Sequence, residues 1–331
     1  MNVHVIKPGA LSTLQDLGRF GYQRYGVIVN GAMDEWSHRV ANMLVGNSEA
    51  EATLEITLIG PALAFDDDAV IAICGADLSP RIGEHDVPMD TPVQLRASSV
   101  LEFGRRRSGC RAYLAVAGGF DVAPVMGSKS TYLRGGFGGS EGRALRKGDT
   151  IKLADTPARR SMPRTLNAAD KPFPVPWRSP VAQRPQGSQR VRVVAGPQWE
   201  AFSEAAQRQF LEADFVVTPN SDRMGYRLDG VKLAPRAAIE MISEGVSFGT
   251  VQVPPDGNPI ILMADCQTTG GYPKIAHIAS VDLPALAQTM PGQRVRFELI
   301  ALDDAQRLYL AREQELERVS RQIAQWKEAS R

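Results

Sequence analysis

The most informative stretch of this chain runs from Ile260 to Lys274 and has the sequence IILMADCQTTGGYPK. Its first five residues are apolar and predict a buried β-strand. The strand is followed directly by an acid, two threonines, a glycine pair, a tyrosine before proline, and a lysine. Adjacent glycines leave backbone N–H groups uncovered, so such a loop can approach an anion or a carbonyl closely. We predict a ligand site at this strand end; the alternative is a tight turn with a solvated rim.

Composition limits the classes of protein to which the chain can belong. Its 331 residues suffice for two domains, and its 43% hydrophobic and 23% charged residues are typical of a soluble globular protein. A net charge of +1 gives no general attraction to nucleic acid or to a membrane surface. The sequence contains no apolar run of about 18 residues, and its N-terminus lacks the pattern of a secretory signal. We therefore expect a cytoplasmic protein with no nucleic-acid or membrane partner.

The cysteines and histidines form no recognisable disulfide or metal-binding pattern. Cys74, Cys110 and Cys266 are far apart, odd in number and not in C-x-x-C spacing. The four histidines also lack ligand spacing, so we expect no metal. Cys266 belongs to the candidate loop, but no histidine is adjacent to it in sequence. A role other than nucleophile is therefore favoured for its thiol.

The apolar pattern predicts a mainly β protein with a few helices. Short apolar runs alternate with turn residues on both sides of a segment, Asp155 to Arg190, that contains seven prolines. We predict an N-terminal β domain over residues 1–154, a proline- and arginine-rich linker over 155–190, a C-terminal β domain over 191–302, and an amphipathic helix over 303–331.

Three further helices are predicted within the β domains. Asp34 is a suitable N-cap for a helix that ends at Gly46. Apolar residues at helical spacing predict a second helix from Gln198 to Leu211. The third is predicted from Val281 to Met290, where a proline occupies the first turn and Pro291-Gly292 follow the end.

A second polar cluster occurs near the N-terminus, where Gln15, Asp16 and Arg19 stand in a glycine-punctuated segment ahead of Asp34. The planar guanidinium of Arg19 suits a carboxylate or a phosphate. Alternatively, Arg19 pairs with Asp16 or Asp34 and ties the loop together. The glycine-rich stretch over residues 135–143 lacks the G-x-x-x-x-G-K-[ST] pattern, so we predict a mobile loop over a site there, while phosphate contact by Lys129 or Arg134 stays open.

Two further charged residues stand close to glycines in the second half of the chain. Arg223 belongs to a polar turn, and Glu244 precedes Gly245. If the fold brings these two to Asp265 and Lys274, the four groups supply an acid, a base and anion clamps in one pocket. This convergence is a hypothesis, because separation in sequence does not fix distance in space.

Six motifs together resemble one known family. They are QDLGR at 15–19, GAMD at 31–34, ANMLVGN at 41–47, LEIT at 54–57, GAD at 75–77 and QTTGGYP at 267–273. In this order they are similar to the biotin-dependent carboxyltransferase / allophanate hydrolase subunit 2 family. Within it they are similar to the branch that contains the C-type subunits of 5-oxoprolinase, a branch also called Kip inhibitor antagonist. The resemblance extends from Val5 to Phe297.

The resemblance implies two cyclophilin-like β-barrel domains, in agreement with the two β-rich halves. It also implies a hetero-oligomer with proteins like the B-type and A-type subunits of 5-oxoprolinase, the complex that converts 5-oxoproline to L-glutamate with hydrolysis of ATP. ATP is then a co-substrate of the complex. The chain has no Ala-Met-Lys-Met biotinylation motif, so we expect no biotin attached to it.

Two sets of residues are predicted to form the site, from their chemistry together with this resemblance. Asp265, Lys274 and Glu244 are assigned to catalysis. Substrate binding is assigned to Gln15, Asp16, Arg19, Asp34, Arg223, Thr268, Thr269, Gly270, Gly271 and Tyr272. Backbone N–H groups near the glycine pair, together with cations such as Lys274 and Arg19, would stabilise the charge that develops when the lactam carbonyl is phosphorylated.

Two other functions fit the same resemblance. The first is carboxyl transfer to a urea-like or acyl substrate from carboxybiotin that a partner delivers. The second is a non-enzymatic regulatory role, in which the chain binds and sequesters a partner that acts on a sensor kinase.

Overall fold

The computed structural model describes residues 1–156, 189–237 and 240–329 of the chain. Almost all of the linker predicted over 155–190 therefore lies outside the described residues. Strands predominate in the described part, which also contains four α-helices, and this confirms the prediction of a mainly β fold with a few helices.

The chain divides into two compact units, and each combines segments that are distant in sequence. The first unit comprises Met1–Arg19, Asp34–Gln183 and Glu315–Arg331, as far as these ranges are described. The second comprises Phe20–Met33 and Arg184–Gln314, with the same restriction.

Two antiparallel sheets build the first unit. Their strands are β1 (Asn2–Lys7), β2 (Leu11–Gln15), β3 (Thr53–Thr57), β4 (Ala62–Phe65), β5 (Ala69–Asp77), β6 (Pro80–Ile82), β7 (His85–Asp86), β8 (Val93–Leu95), β9 (Val100–Phe103), β10 (Ser108–Val116) and β11 (Thr150–Lys152). One sheet has six strands in the order β11-β1-β4-β9-β6-β7, and the other has five in the order β2-β3-β10-β5-β8. Apolar side chains of both sheets, such as Leu63 of the six-stranded sheet and Leu54 and Ile71 of the five-stranded sheet, form the core of this unit.

Helix α1 (Glu35–Val45) packs on β5 and β10 of the first unit. It begins and ends as predicted. Asp34 accepts a hydrogen bond from the Ser37 N–H at 2.9 Å, and Gly46 ends the helix in the left-handed conformation with φ 81°. All residues of β10 after Ser108 are buried, although successive side chains point to opposite faces, so both faces of this strand are covered. Each large apolar side chain buried in this way stabilises the fold by about 1.5–3 kcal/mol.

A closed barrel of seven strands forms the second unit, in the order β12-β19-β16-β17-β14-β13-β20. The strands of this unit are β12 (Gln189–Ala195), β13 (Phe215–Val217), β14 (Gly225–Asp229), β15 (Glu244–Gly245), β16 (Thr250–Gln252), β17 (Ile260–Leu262), β18 (Thr269–Gly270), β19 (Lys274–Ile278) and β20 (Arg294–Leu299). Strands β12 and β20 pair in parallel. Strands β15 and β18 form a separate two-stranded sheet, called the β15–β18 ribbon below. Apolar residues such as Val193, Phe215 and Ile261 form the core of this unit.

The remaining helices are α2 (Glu204–Glu212), α3 (Leu283–Ala287) and α4 (Leu302–Ala329). The prediction of one helix from Gln198 is wrong at its start, because Phe202 is extended at ψ 146° and Ser203 then caps α2. Helix α3 is shorter than predicted, since a 3₁₀ turn over Ser280–Asp282 precedes it. No helix in the described residues is long and apolar enough to span a membrane.

Candidate functional site

The candidate loop connects β17 to β19 in the second unit. Just after β17, the Asp265 N–H donates to the Arg223 carbonyl at 2.8 Å. The middle of the loop forms β18, which pairs with β15 in the β15–β18 ribbon. Its last residue, Lys274, begins β19. A charged residue therefore stands at each end of the loop, and each forms an ion pair.

Arg223 and Asp265 form a buried ion pair at the start of the loop. The guanidinium donates from Nε to Oδ2 at 3.0 Å and from Nη2 to Oδ1 at 2.8 Å, which is a bidentate arrangement. Nη2 also donates to Asn30 Oδ1 at 2.9 Å and to the Gly31 carbonyl at 2.6 Å. The pair thus fastens the start of the loop to the segment around Asn30.

Lys274 and Glu244 form the second ion pair, in which Nζ donates to Oε2 at 2.5 Å. The lysine side chain is 7% exposed, whereas the glutamate side chain is 53% exposed. The backbone of Lys274 is held by Gln198, whose Oε1 accepts from the Lys274 N–H at 3.0 Å. A buried ammonium therefore meets a carboxylate that faces water.

The strand register separates the two ion pairs. Gln252 of β16 lies opposite Ile260 on one side and opposite Lys274 on the other, so Lys274 is level with the first residue of β17. Asp265 comes three residues after Leu262, the last residue of β17, beyond the opposite end of that strand. Arg223 and Glu244 each bind one of the two loop residues, so the described contacts form two ion pairs, and a cluster of all four charged groups stays a hypothesis.

The remaining loop residues place polar groups and one aromatic ring at the surface. Thr269, Gly271 and Tyr272 are exposed, and Thr268 is half-buried. Gly270 is buried and packs closely on Gln252, because a Cβ at this position would lie 2.5 Å from Gln252 Nε2. The loop thus presents uncovered backbone to the solvent next to a buried amide.

Asp16 accepts several hydrogen bonds within the first unit. Its Oδ1 accepts from Ser128 Oγ at 2.7 Å and from Ser130 Oγ at 2.6 Å. Oδ1 also accepts from the Gly18 N–H at 2.8 Å, and Oδ2 accepts from the Lys129 N–H at 2.6 Å. The carboxylate therefore holds the segment 128–130 against the N-terminal loop.

Gln15, Arg19 and Asp34 are also buried in the first unit. Arg19 Nη2 donates to the Ser130 carbonyl at 2.8 Å, and the guanidinium lies 4.9 Å from the centre of the Phe137 ring. Gln15 Nε2 donates to a main-chain carbonyl at 3.2 Å. Asp34 is the N-cap of α1. The described contacts of Arg19 are with main-chain carbonyls and the Phe137 ring, so the pairing of Arg19 with Asp16 or Asp34 stays a prediction.

Four polar residues that contact the candidate groups escape prediction from the sequence. They are Ser128, Ser130, Gln198 and Gln252. The two serines flank a lysine in the stretch GSKS, and their hydroxyls are a usable signal for a carboxylate partner. Nothing in the sequence distinguishes the two glutamines. Gln252 meets Lys274 through strand register, and Gln198 stands at the start of a 3₁₀ turn that follows β12.

The thiol of Cys266 is protonated at neutral pH. Burial, together with the negative charge of Asp265, raises the pKa of Cys266 to about 12. A thiol with this pKa is a poor nucleophile, which supports a role for Cys266 in packing.

One cavity of about 550 Å³ lies in the first unit, lined by Met43, Asn47 and Ile323 among others. None of the predicted site residues lines it. The charged loop of the second unit, rather than this cavity, therefore carries the candidate site.

Comparison with known proteins shows the family to which the chain belongs. The sequence profile of the carboxyltransferase domain, subdomain A and B, matches residues 25–299. The chain belongs to this carboxyltransferase family. The matched range contains Arg223, Glu244 and the whole candidate loop, whereas Gln15, Asp16 and Arg19 precede it.

Two members of this carboxyltransferase family are similar to the chain over nearly its whole length. The C-type subunit of the 5-oxoprolinase of Haemophilus influenzae is 37% identical over 319 residues, which cover 96% of this chain and 98% of that protein. The C-type subunit of the 5-oxoprolinase of Escherichia coli is 39% identical over 301 residues, which cover 91% of this chain and 92% of that protein.

The chain is also similar to part of a larger carboxyltransferase-family enzyme. The urea amidolyase of Saccharomyces cerevisiae is 32% identical over 324 residues, which cover 92% of this chain but 17% of that enzyme. The crystal structure of the K. lactis urea amidolyase superimposes with a TM-score of 0.86 at 30% identity, over 96% of this chain. The match covers 20% of that solved chain. The fold is therefore the same, while the surrounding protein differs.

Proposed function

We propose that this chain is the C-type subunit of an ATP-dependent 5-oxoprolinase complex, which opens 5-oxoproline to L-glutamate. The observation that carries the proposal is sequence identity. The chain is 37% and 39% identical to two C-type subunits of 5-oxoprolinase, against 32% and 34% for two similar urea enzymes. We also propose a cytoplasmic location, because ATP is supplied there.

A lactam is unreactive until its carbonyl oxygen becomes part of a leaving group. In the proposed reaction the γ-phosphoryl group passes from ATP to this oxygen. Water then attacks the carbonyl carbon, the C–N bond breaks as the nitrogen takes a proton, and a second water releases phosphate from the resulting glutamyl phosphate. The backbone N–H of the exposed Gly271 is suited to stabilise the negative charge on the carbonyl oxygen. ATP is the co-substrate, and no biotin is attached to this chain.

The roles of the charged residues follow from their environments. Lys274 supplies the positive charge of the site, and Glu244 is the carboxylate in contact with it. Asp265 and Arg223 act as positioning residues, because their bidentate contact occupies both side chains. Thr268, Thr269 and Tyr272 complete the substrate-binding loop.

We propose that the site is shared with a partner like the B-type subunit of 5-oxoprolinase and works with a protein like the A-type subunit. Tyr272 in the loop and Ile242, which precedes β15, are both exposed, and Ile242 is 88% exposed. An apolar side chain of this exposure beside a polar site is suited to contact another polypeptide. In addition, the chain matches 55% of a solved chain, TTHA0988, at 34% identity and a TM-score of 0.75, so a relative of this chain occurs joined to nearly as much additional polypeptide.

The proposal is tested by reconstitution. The chain is co-expressed with its B-type and A-type partners, and release of glutamate and ADP from 5-oxoproline and ATP is measured with and without the chain. We expect release that requires all three proteins. An assembled complex that releases no glutamate would contradict the proposal, and the regulatory function would then become the better account of a stable complex.

Carboxyl transfer to a urea-like substrate is the second candidate. It is favoured by the family description and by the TM-score of 0.86 with a urea amidolyase. The same purified complex is therefore supplied with urea, ATP, bicarbonate and a biotinylated carrier. Consumption of urea in place of 5-oxoproline would establish this alternative.

A further inference from the structure

We propose that the Lys274 ammonium binds the carboxylate of the substrate. Without substrate, the Glu244 carboxylate is bound to Lys274, and the substrate carboxylate then replaces it. The inference rests on the proposed function and specifies the class of substrate: a lactam that carries a carboxylate, as opposed to a neutral amide such as urea. Lys274 is then the residue that distinguishes the two.

The hydrogen bonding of Lys274 is incomplete. An ammonium group has three N–H donors, and when it is removed from water each of them needs an acceptor. The Lys274 side chain is 7% exposed, and among the described residues the hydrogen-bond partner of its Nζ is Glu244 Oε2 alone. The remaining donors can bind the oxygens of an incoming carboxylate while it replaces Glu244.

Glu244 is suited to be displaced. Its side chain is half-exposed and it stands on a two-residue strand of the β15–β18 ribbon. Because a half-exposed carboxylate regains most of its hydration when it leaves an ion pair, its exchange for another carboxylate costs little. Asp265 is the opposite case, since its carboxylate is buried and bound bidentately by Arg223.

The neighbour of Lys274 on the adjacent strand adds an amide to this position. Gln252 lies directly opposite Lys274 in the register of β16 and β19, and directly opposite residues point to the same face of a sheet. Gln252 is 2% exposed, and the hydrogen bond of its Nε2 in the described residues is a long one, 3.5 Å to the Tyr272 carbonyl. An ammonium beside an amide matches the carboxylate and the lactam amide of 5-oxoproline.

Equilibrium binding to the assembled complex tests this inference without any turnover. Isothermal titration in the absence of ATP compares 5-oxoproline with 2-pyrrolidinone, the same lactam without the carboxylate. We expect the wild-type complex to bind 5-oxoproline at least about tenfold more tightly, the effect of one charged hydrogen bond. Lys274→Met should abolish this preference, and Lys274→Arg should retain part of it. Lys232→Met removes an exposed lysine of the same unit and should leave the preference unchanged.

Glu244→Gln provides a test that depends on the sign of the effect. If Glu244 competes with the substrate carboxylate, its neutral variant binds 5-oxoproline more tightly and 2-pyrrolidinone as before. Weaker binding of 5-oxoproline by Glu244→Gln would contradict the proposal that the substrate carboxylate replaces Glu244 at Lys274.

Two outcomes would overturn the recognition of the carboxylate by Lys274. These are a wild-type complex with no preference for 5-oxoproline, and a preference that survives in a Lys274→Met complex that assembles normally by size-exclusion chromatography. A preference that depends on Lys274 in a complex that releases no glutamate would instead contradict the proposed function and leave this inference standing.

Discussion

Asp265 and Lys274 stand at the two ends of one loop, but their ion pairs differ in how much they contribute to the stability of the fold. Arg223 and Asp265 are both buried, so removal of one leaves the other as an uncompensated buried charge. Glu244 is half-exposed, so hydration by water replaces most of the interaction energy that is lost when its ion pair with Lys274 is broken. Similar residue types in a sequence therefore lead to different energetic roles, and burial decides between them.

The stability of two variants measures this difference. Asp265→Ala is expected to lower the free energy of unfolding by about 3–5 kcal/mol. Glu244→Ala is expected to lower it by less than about 1 kcal/mol. Urea-induced unfolding of the purified chain provides both values, and equal losses in the two variants would contradict the assignment of Asp265 to a positioning role.

Burial of His38 makes stability depend on pH. His38 is inaccessible, Nδ1 lies 2.8 Å from Thr53 Oγ1, and burial lowers its pKa from 6.5 to about 4. The unfolded chain therefore binds a proton between pH 6.5 and pH 4 that the folded chain does not, so the contribution of His38 to stability decreases as pH falls through this range.

The variant His38→Gln isolates this effect from the opposite effect of Asp90, whose pKa is raised to about 6 by burial. From pH 7 to pH 4, the wild type is expected to lose about 3 kcal/mol more stability than His38→Gln. Unfolding measured at both pH values checks this. The same pH dependence in both proteins would show that His38 titrates normally.

All three cysteines are buried, and they should be unreactive in the folded chain. For Cys266 the pKa of about 12 adds a chemical barrier to the steric one, because almost no thiolate exists at pH 8. We expect no rapid reaction with Ellman's reagent at pH 8 under native conditions and reaction of all three thiols in denaturant. Rapid modification of Cys266 in the native chain, with loss of activity, would revive a nucleophilic role.

At the scale of elements, the β15–β18 ribbon provides a matched pair of substitutions. A Cβ at Gly270 would lie 2.5 Å from Gln252 Nε2, whereas a Cβ at Gly271 has 3.4 Å to Ser243 Oγ as its shortest contact. Gly270→Ala must therefore shift the ribbon or the buried amide, and we expect at least about a tenfold loss of kcat/KM for 5-oxoproline. Gly271→Ala should retain wild-type kinetics. Equal activities in steady-state assays would show that the fit of the ribbon on Gln252 is unimportant.

Elements defined by local signals were predictable from the sequence. Asp34 and Gly46 delimit α1 because a cap and a left-handed glycine act within one helical turn. The helix predicted from Gln198 begins later, at Glu204, because the extended Phe202 and the cap Ser203 oppose the apolar periodicity. The apolar spacing alone does not show that a capping residue starts the helix later than the first apolar residue.

The site was only partly predictable. The loop from Asp265 to Lys274 is apparent in the sequence, because polar residues and glycines follow a buried strand. The pairing of Lys274 with Glu244, and the position of Gln252 beside Lys274, depend on strand register in the barrel, which sequence spacing does not encode. Asp16 and Arg19 look like ligand groups in the sequence, yet in the structure their contacts tie loops of the first unit.

At the scale of the whole molecule, the account depends on a complex in which Lys274 belongs to the site that opens 5-oxoproline. The most direct measurement is kcat/KM for glutamate release by complexes that contain Lys274→Met or Lys232→Met, both shown to assemble. The account predicts at least about a tenfold loss for Lys274→Met and wild-type activity for Lys232→Met. Wild-type activity of the assembled Lys274→Met complex would contradict it.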